Sequence, residues 1–332
     1  MRKYILYFIV LVISVSCSGD AKDHPKKIRI GLVNWIGYTP FYLAEQQGYF
    51  ARYGLDVELI RIEDVGLRRQ AIASGQVDAI ALTLDAMIVA RDNEIPVQAI
   101  LALDHSSGGD GILVAEGLVS LHDLKGKNVA YQTGQPSQLF LYEILRKQGL
   151  GFDDVQSVFL DADRAGAAFI GGQVDAAVTW EPWLTQAEKQ GVGKVYLDSK
   201  STPGLITDVL YARESVVKDK REVFVLLARA WYDAVAYLKE NPVEAERVAM
   251  SAFAMTEGEV QIIMPKVEFL GKEENRTAFG TTGSPGYLYD SYGTIEEAWL
   301  HESVITQPQA ATEGIDPVIV LSSVEVQLSE SH

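Results

Sequence analysis

Cysteine is almost missing from this chain: of 332 residues, only Cys17 carries a thiol. That excludes an intrachain disulfide and any metal centre built on clustered cysteines. Basic residues are also scarce, 29 Lys and Arg against 45 Asp and Glu, for a formal net charge of −16. A surface of that sign repels nucleic acid and anionic lipid headgroups, and no basic patch offsets it. The acidity keeps a protein soluble and by itself says nothing about a cationic ligand. Catalytic phrases are absent as well: no Gly-x-Ser-x-Gly, His-Glu-x-x-His, Walker loop or dinucleotide glycine motif occurs. Asp104-His105 with Asp110 is the acid–base set that remains, and His105 at a strand end reads as structural. No enzyme, cofactor or metal site is expected.

What is present begins with an export signal. Arg2 and Lys3 precede an apolar run from Tyr4 to Val15, followed by the small residues Ser14-Val15-Ser16 before Cys17. A basic start, a short apolar core and a small-residue cleavage site describe a secretory signal over residues 1–16. The run falls short of the roughly 20 residues that a spanning helix needs. Its end resembles the bacterial lipobox, although Ser14 stands where leucine is commonest. The resemblance implies lipidation of Cys17 and anchorage in the periplasm or at the cell surface; the alternative is a plain secreted protein with a stray cysteine. Removal of the signal leaves 27 Lys and Arg against 45 Asp and Glu, a formal −18. Residues 17–27 then read as a polar tether, and the 48% hydrophobic content is ample for one or two packed cores.

The chain uses one phrase twice. Gly75-Gln76-Val77-Asp78-Ala79 closes a helical run and opens an apolar stretch, and Gly172-Gln173-Val174-Asp175-Ala176 does the same 97 residues later. Each leads into a short strand ending on Thr plus an acid, Thr83-Leu84-Asp85 and Thr179-Trp180-Glu181. A glycine past a helix supplies a left-handed C-cap, and the run after it reads as a buried strand. Two copies predict two similar α/β lobes, each aiming strand ends at a shared crevice.

Around the repeats, strands and helices alternate, which predicts a largely parallel sheet covered by helices. Thr39 as N-cap with Pro40 at the first helical position starts the first helix. Ser106-Ser107-Gly108-Gly109-Asp110-Gly111 reads as one crossing between lobes, and Ser201 to Gly204 with Thr207-Asp208 as the return. The expected division is residues 28–107 plus 208–324 for a discontinuous first lobe and 108–207 for the second. Two crossings allow the lobes to hinge.

Further phrases are Gly31-Leu32 through Trp35 and Tyr38, Thr39-Pro40-Phe41-Tyr42-Leu43-Ala44, and Gly48-Tyr49-Phe50 to Tyr53-Gly54-Leu55-Asp56-Val57. With Ala73-Ser74-Gly75-Gln76-Val77-Asp78, Leu124-Lys125-Gly126-Lys127-Asn128-Val129 and Trp180-Glu181-Pro182-Trp183, they resemble bacterial ABC-transporter solute-binding proteins of the nitrate/sulfonate/taurine type. That group also includes binders of pyrimidine thiamine precursors. The resemblance runs from Ile28 to Trp299 and implies the type II periplasmic-binding-protein fold, two α/β lobes joined by two crossover segments with a ligand cleft between them. It implies an ABC permease as partner, with the protein acting as a monomer. A yeast enzyme of the same fold makes the thiamine pyrimidine through a cysteine-rich signature, which one terminal thiol cannot reproduce. A ligand-sensing lipoprotein is the further alternative.

The cleft candidates come from the loops. Helix starts at Thr39-Pro40, Val65-Gly66 and Gln135-Pro136-Ser137 offer free N–H groups to an acid group, with Thr133 and the Ser137 hydroxyl beside them. Trp35, Tyr38 and Trp180 can flank a ring or an alkylammonium, whereas Tyr42 and Trp183 read as packing. Asp85, Asp110, Glu181 and Asp208 lie nearby, and Arg68 and Arg69 read as solvated. Carboxylates without an arginine fork suit a small zwitterion or amino-heterocycle better than a bare anion. Each carboxylate alone serves equally well as a cap or hinge bond.

Overall fold

The computed structural model describes residues 26–281 and 283–325, so the signal segment and Cys17 lie outside the described residues. In chain order the strands that build its two main sheets are β1 (Lys26–Leu32), β2 (Leu55–Arg61), β3 (Ala79–Thr83), β4 (Val97–Ser106), β5 (Asp110–Val114), β6 (Asn128–Tyr131), β7 (Gln156–Phe159), β8 (Ala176–Trp180), β9 (Lys194–Asp198), β10 (Thr207–Arg213) and β11 (Val267–Phe269). The first sheet has the order β11-β4-β10-β3-β1-β2 and the second β7-β6-β8-β5-β9. Each has its own hydrophobic core, with helices packed over the sheets.

The sheets are mixed, not largely parallel. β1 pairs in parallel with β2 and β3, but β10 lies antiparallel between β3 and β4, and β5 runs antiparallel to β8 and β9. Connectivity is the reason. The chain leaves the first sheet at the end of β4 and returns into β10 from that same end, so β10 must run down between strands that run up. Likewise β5 enters the second sheet from the crossing side.

The repeated phrase has a physical basis. Gly75 takes φ 77° after the helix Val65–Ser74, and Gly172 takes φ 67° after the helix Ala162–Ile170. Asp78 then locks its strand to β1: its N–H donates to the Arg29 carbonyl at 2.8 Å, and its Oδ2 accepts from the Arg29 N–H at 2.9 Å. Asp175 makes the same pair with Asn128 of β6, at 3.0 and 2.9 Å. One short motif thus sets strand pairing in both lobes.

Local readings differ from the sequence expectation at the Thr39 cap and at the glycine-rich crossing. Tyr38, not Thr39, is the N-cap of the helix Thr39–Gln46; the Thr39 side chain donates to the Ile36 carbonyl at 2.6 Å and secures the preceding turn instead. The glycine-rich crossing is shorter than its composition suggested, because β5 already begins at Asp110. Gly111 belongs to that strand: a Cβ there would lie 2.8 Å from the Leu197 carbonyl of β9, so glycine permits the close pairing. The helix starting at Glu257 stops at Ile263, and Val267 opens β11 as an edge strand.

The lobes also touch away from the crossings. Leu139, on the second-lobe helix Pro136–Arg146, is buried in the core cluster of the first lobe. Tyr142 of that helix meets His301 with ring centroids 5.5 Å apart.

Candidate ligand-binding site

Strand register gathers an acidic row where the two sheets meet. Asp208 at the start of β10 faces Thr83 of β3 on one side and Asp104 of β4 on the other. Residues directly opposite in antiparallel strands project to the same face, so these three side chains share one surface. Asp85 joins them from the first turn of the helix Leu84–Asp92, and Asp110 from the start of β5. All four aspartates are buried.

The donors around them are aromatic. The Tyr38 hydroxyl donates to Asp208 Oδ1 at 2.5 Å, and the Trp35 indole N–H is shared by the Asp104 oxygens at 3.1 and 3.3 Å. Gly37 makes room for the second contact, since a Cβ on it would lie 2.2 Å from Asp104 Oδ2 and 2.3 Å from Trp35 Nε1. Among the described residues no ion pair neutralises any of the four aspartates. Two polar atoms in the row, Asp85 Oδ2 and Thr83 Oγ1, are buried without a partner in hydrogen-bond geometry, although the Thr83 hydroxyl is close enough to hold the Asp85 carboxyl down somewhat against burial.

Burial without a counter-charge dominates the electrostatics. It pushes Asp85 up to about 7 and Asp110 up to about 6. Asp208 rises to about 7, again chiefly by burial, against the Tyr38 hydrogen bond. Asp104 rises well above the ordinary carboxylate range through burial and the Asp208 charge. Arg68, whose charge acts on Tyr38, is buried, contrary to the expectation of a solvated side chain. Its guanidinium donates to the Ile62 and Glu63 carbonyls at 2.9 and 2.6 Å, which fastens its own helix start and leaves Nε unpartnered.

Of the residues proposed from sequence, Trp35, Tyr38, Asp85, Asp110 and Asp208 come together here. Trp180 faces Asp110 across β8 and β5, but its indole N–H is anchored on Asp163 Oδ1 at 2.7 Å, and Trp183 shares that oxygen at 3.0 Å. Glu181 turns away into an ion pair with Lys266, with the Thr185 hydroxyl and N–H on its carboxylate at 2.8 and 3.1 Å. The Ser137 hydroxyl lies between the N–H and the carbonyl of Gln132, at 2.9 and 3.2 Å, and Thr133 is exposed. Sequence reasoning passed over Asp104, Thr83, Arg68, Asp163 and Lys266 as site residues. Asp104, near the end of β4, joins them only through its register with Asp208, and only the fold brings Lys266 and Asp163 to Glu181 and the indoles.

His105 is held as a structural group. The Thr207 hydroxyl donates to the Gly204 carbonyl at 2.8 Å, so it accepts from His105 Nδ1 at 2.7 Å, and His105 Nε2 accepts from the Tyr287 hydroxyl at 2.7 Å. Burial holds the imidazole down to about 4. A cavity of about 720 Å³ opens beside it, lined by residues including Ser199, Thr202, Glu268 and Asp290 and by none of the four aspartates. Among the described residues no group of three or more His, Cys, Asp or Glu is arranged to hold a metal ion, and no helix is long and apolar enough to cross a membrane.

The solved structure of the periplasmic aliphatic sulphonate binding protein SsuA from Escherichia coli superposes with a TM-score of 0.75, covering 88% of this chain and 93% of that one at 19% identity. At that identity the match shows the fold alone, the α/β periplasmic-binding-protein fold. A Bacillus subtilis protein named for aliphatic sulfonates binding is 26% identical over 256 residues, 74% of this chain and 76% of its own length. The formylaminopyrimidine-binding protein of Halalkalibacterium halodurans is 25% identical over 259 residues, 75% of this chain and 78% of its own length. The family model described as NMT1/THI5 like matches residues 35–245. With its two sheets, double crossing and acidic row at the strand ends, the chain belongs to the NMT1/THI5-like family.

Proposed function

We propose that this chain is an exported receptor that captures a small polar molecule between its two lobes and delivers it to an ABC importer. The lobes would be residues 28–107 plus 208–324 and residues 108–207, with the crossings as hinge. The observation that carries the reading is the convergence of Asp104 and Asp208 from the first sheet and Asp85 from the helix after β3 with Asp110 from the second sheet, all buried and none ion-paired among the described residues. Buried carboxylates are costly unless something compensates them, and a ligand bridging both sheets would do so only when the lobes are shut. Binding proteins among the relatives support the receptor role over an enzyme. The ligand would be an amine-bearing carboxylate or sulfonate, or an amino-heterocycle, read by the acidic row with Trp35 and Tyr38. Thr39, Thr133, Ser137, Trp180 and Glu181 would act behind that first contact or at the rim. Cys17, lipidated after removal of residues 1–16, would tether a monomer to the membrane facing its permease.

Solution scattering with and without candidate ligands tests the receptor role. A compaction induced by one compound is expected; a shape that responds to none overturns it. Replacing Cys17 by Ala is expected to release the protein from the membrane fraction, and unchanged sedimentation with membranes would remove the anchor.

A further inference from the structure

We propose that Asp85, Asp104, Asp110 and Asp208 form a subsite for one positively charged nitrogen, and that the ligand's cation displaces protons from it, so that acid weakens capture. The inference rests on the receptor reading and narrows it: the cation is the recognised group, and a bare anion is refused.

Four carboxylates share one buried surface, and the groups facing them from each packed element can be named. From β4 comes Asp104, and from β10 come Asp208 and Tyr211. The helix Leu84–Asp92 contributes Asp85, β5 contributes Asp110, and the turn before Thr39 contributes Tyr38 and Trp35. The helix Val65–Ser74 brings Arg68 and, farther off, Arg69. Arg68 spends its hydrogen bonds on two backbone carbonyls of its own helix start, and His105 faces Thr207 and Tyr287 with both ring nitrogens occupied. Lys266 is committed to Glu181. Arg68 keeps its charge and acts on Tyr38, but no described cation forms an ion pair with the row, and the influences on the four carboxyls are burial, each other and hydrogen bonds.

A second observation points to an absent donor. Asp85, 1% exposed, and Thr83, 7% exposed and directly opposite Asp208, face each other: the Thr83 hydroxyl holds the Asp85 carboxyl down against burial, yet neither Oδ2 nor that hydroxyl has a partner within hydrogen-bond geometry. An orphaned buried acceptor costs about 1–3 kcal/mol, which a ligand N–H would recover. A sulfonate or nitrate oxygen placed there could accept from the Thr83 hydroxyl but would leave Asp85 Oδ2 without a donor and add like charge beside the carboxylates.

Without ligand the row relieves its own repulsion by holding protons, consistent with the raised values of all four groups. A cation needs the carboxylates ionised, so each proton it displaces leaves to water. Affinity then rises with pH through the range near 6 to 7 in which Asp110, Asp85 and Asp208 give up protons.

Calorimetry on the full chain in mild detergent tests this with matched pairs that differ in a basic aliphatic amine: taurine against ethanesulfonate, γ-aminobutyrate against butyrate, and benzylamine against benzyl alcohol. In at least one pair the amine-bearing member is expected to bind about tenfold or more tighter, with affinity falling severalfold from about pH 7.5 to about pH 5.5. Asp85→Asn and Asp208→Asn are expected to bring that ratio toward one; the wild-type ratio and pH profile stand even if a variant fails to fold. An amine-free member that binds as well, an affinity that acid leaves unchanged or raises, or a panel in which nothing binds overturns the inference. Scattering separates the two readings: compaction by any compound, an anion included, leaves the receptor standing while the cation subsite falls.

Discussion

Lys266 and Glu181 tie the two lobes together through an ion pair whose acidic side chain is fully buried while the lysine is 31% exposed. Lys266 stands in the turn before β11 of the first sheet, and Glu181 directly follows β8 of the second. Removing the lysine strands a buried carboxylate that Thr185 alone must satisfy. Breaking such pairs costs about 3–5 kcal/mol when both partners are dry, and partial hydration of the lysine argues for about 2. Lys266→Met is therefore expected to lower the urea midpoint clearly, and the double variant Lys266→Met/Glu181→Gln to recover much of the loss. Additive effects in the double-mutant cycle would show that the pair is not coupled.

The twin aspartates of the repeated phrase are not equal. Besides the bond to Arg29 N–H, Asp78 accepts from Lys220 Nζ at 2.9 Å and Arg29 Nε at 3.3 Å, whereas Asp175 Oδ2 accepts from the Asn128 N–H. Burial alone would raise Asp78, yet the bonds from Lys220 and Arg29 win and its carboxyl falls below the usual value. A depressed carboxylate stabilises above its unfolded pKa of about 3.9 and loses that contribution as pH falls through the folded value. Asp78→Ala is expected to cost about 2–3 kcal/mol at neutral pH and Asp175→Ala about 1. The gap should narrow below about pH 4; equal costs at neutral pH would refute the account.

Much of this architecture was legible in the chain, and the reason is local. The left-handed glycines, the strand ends at Thr83 and Trp180 and the acidic residues following them sit in short segments whose chemistry is decided by near neighbours. What stayed hidden depends on pairing across the fold. Arg68 looks solvated on its helix because nothing local says that β10 and Tyr38 close over it. Thr39 looks like an N-cap until the turn Ile36–Tyr38 takes its hydroxyl. β5 hides behind three glycines because its strand character comes from β8 and β9. Asp104 joins the site only through its register with Asp208.

Asp163 holds two indoles at once, Trp180 and Trp183, on a single oxygen. Gly166 supports the arrangement, since a Cβ there would lie 2.6 Å from the Trp183 ring. If Trp180 forms one wall of the site, its orientation is set by Asp163 and not by packing alone. Asp163→Ala is expected to shift the tryptophan emission and weaken ligand binding severalfold, at a stability cost of about 1 kcal/mol. Asp163→Asn keeps an acceptor oxygen and should restore both readouts. A binding loss that Asn does not rescue would mean that the charge of Asp163, not its grip on the indoles, is what matters.

The acidic row reverses the usual dependence of stability on pH. Asp85 and Asp208 sit at about 7 and Asp110 at about 6, above the roughly 3.9 of an unfolded aspartate. Between those values the native state keeps protons that the unfolded chain has released, so stability falls as pH rises through that window. The ligand-free protein is expected to melt at a higher temperature near pH 5 than near pH 8, provided salt is held constant. Asp85→Asn removes one ionisation and leaves the site equally filled. At about pH 8 it should stabilise the ligand-free protein by an amount on the order of a few kcal/mol, and near pH 5 it should change little, because the wild-type carboxyl is already neutral there. A variant without effect at either value would place Asp85 in contact with water, as on an ordinary solvated face, and one that destabilises at about pH 8 would place an unseen cation beside it.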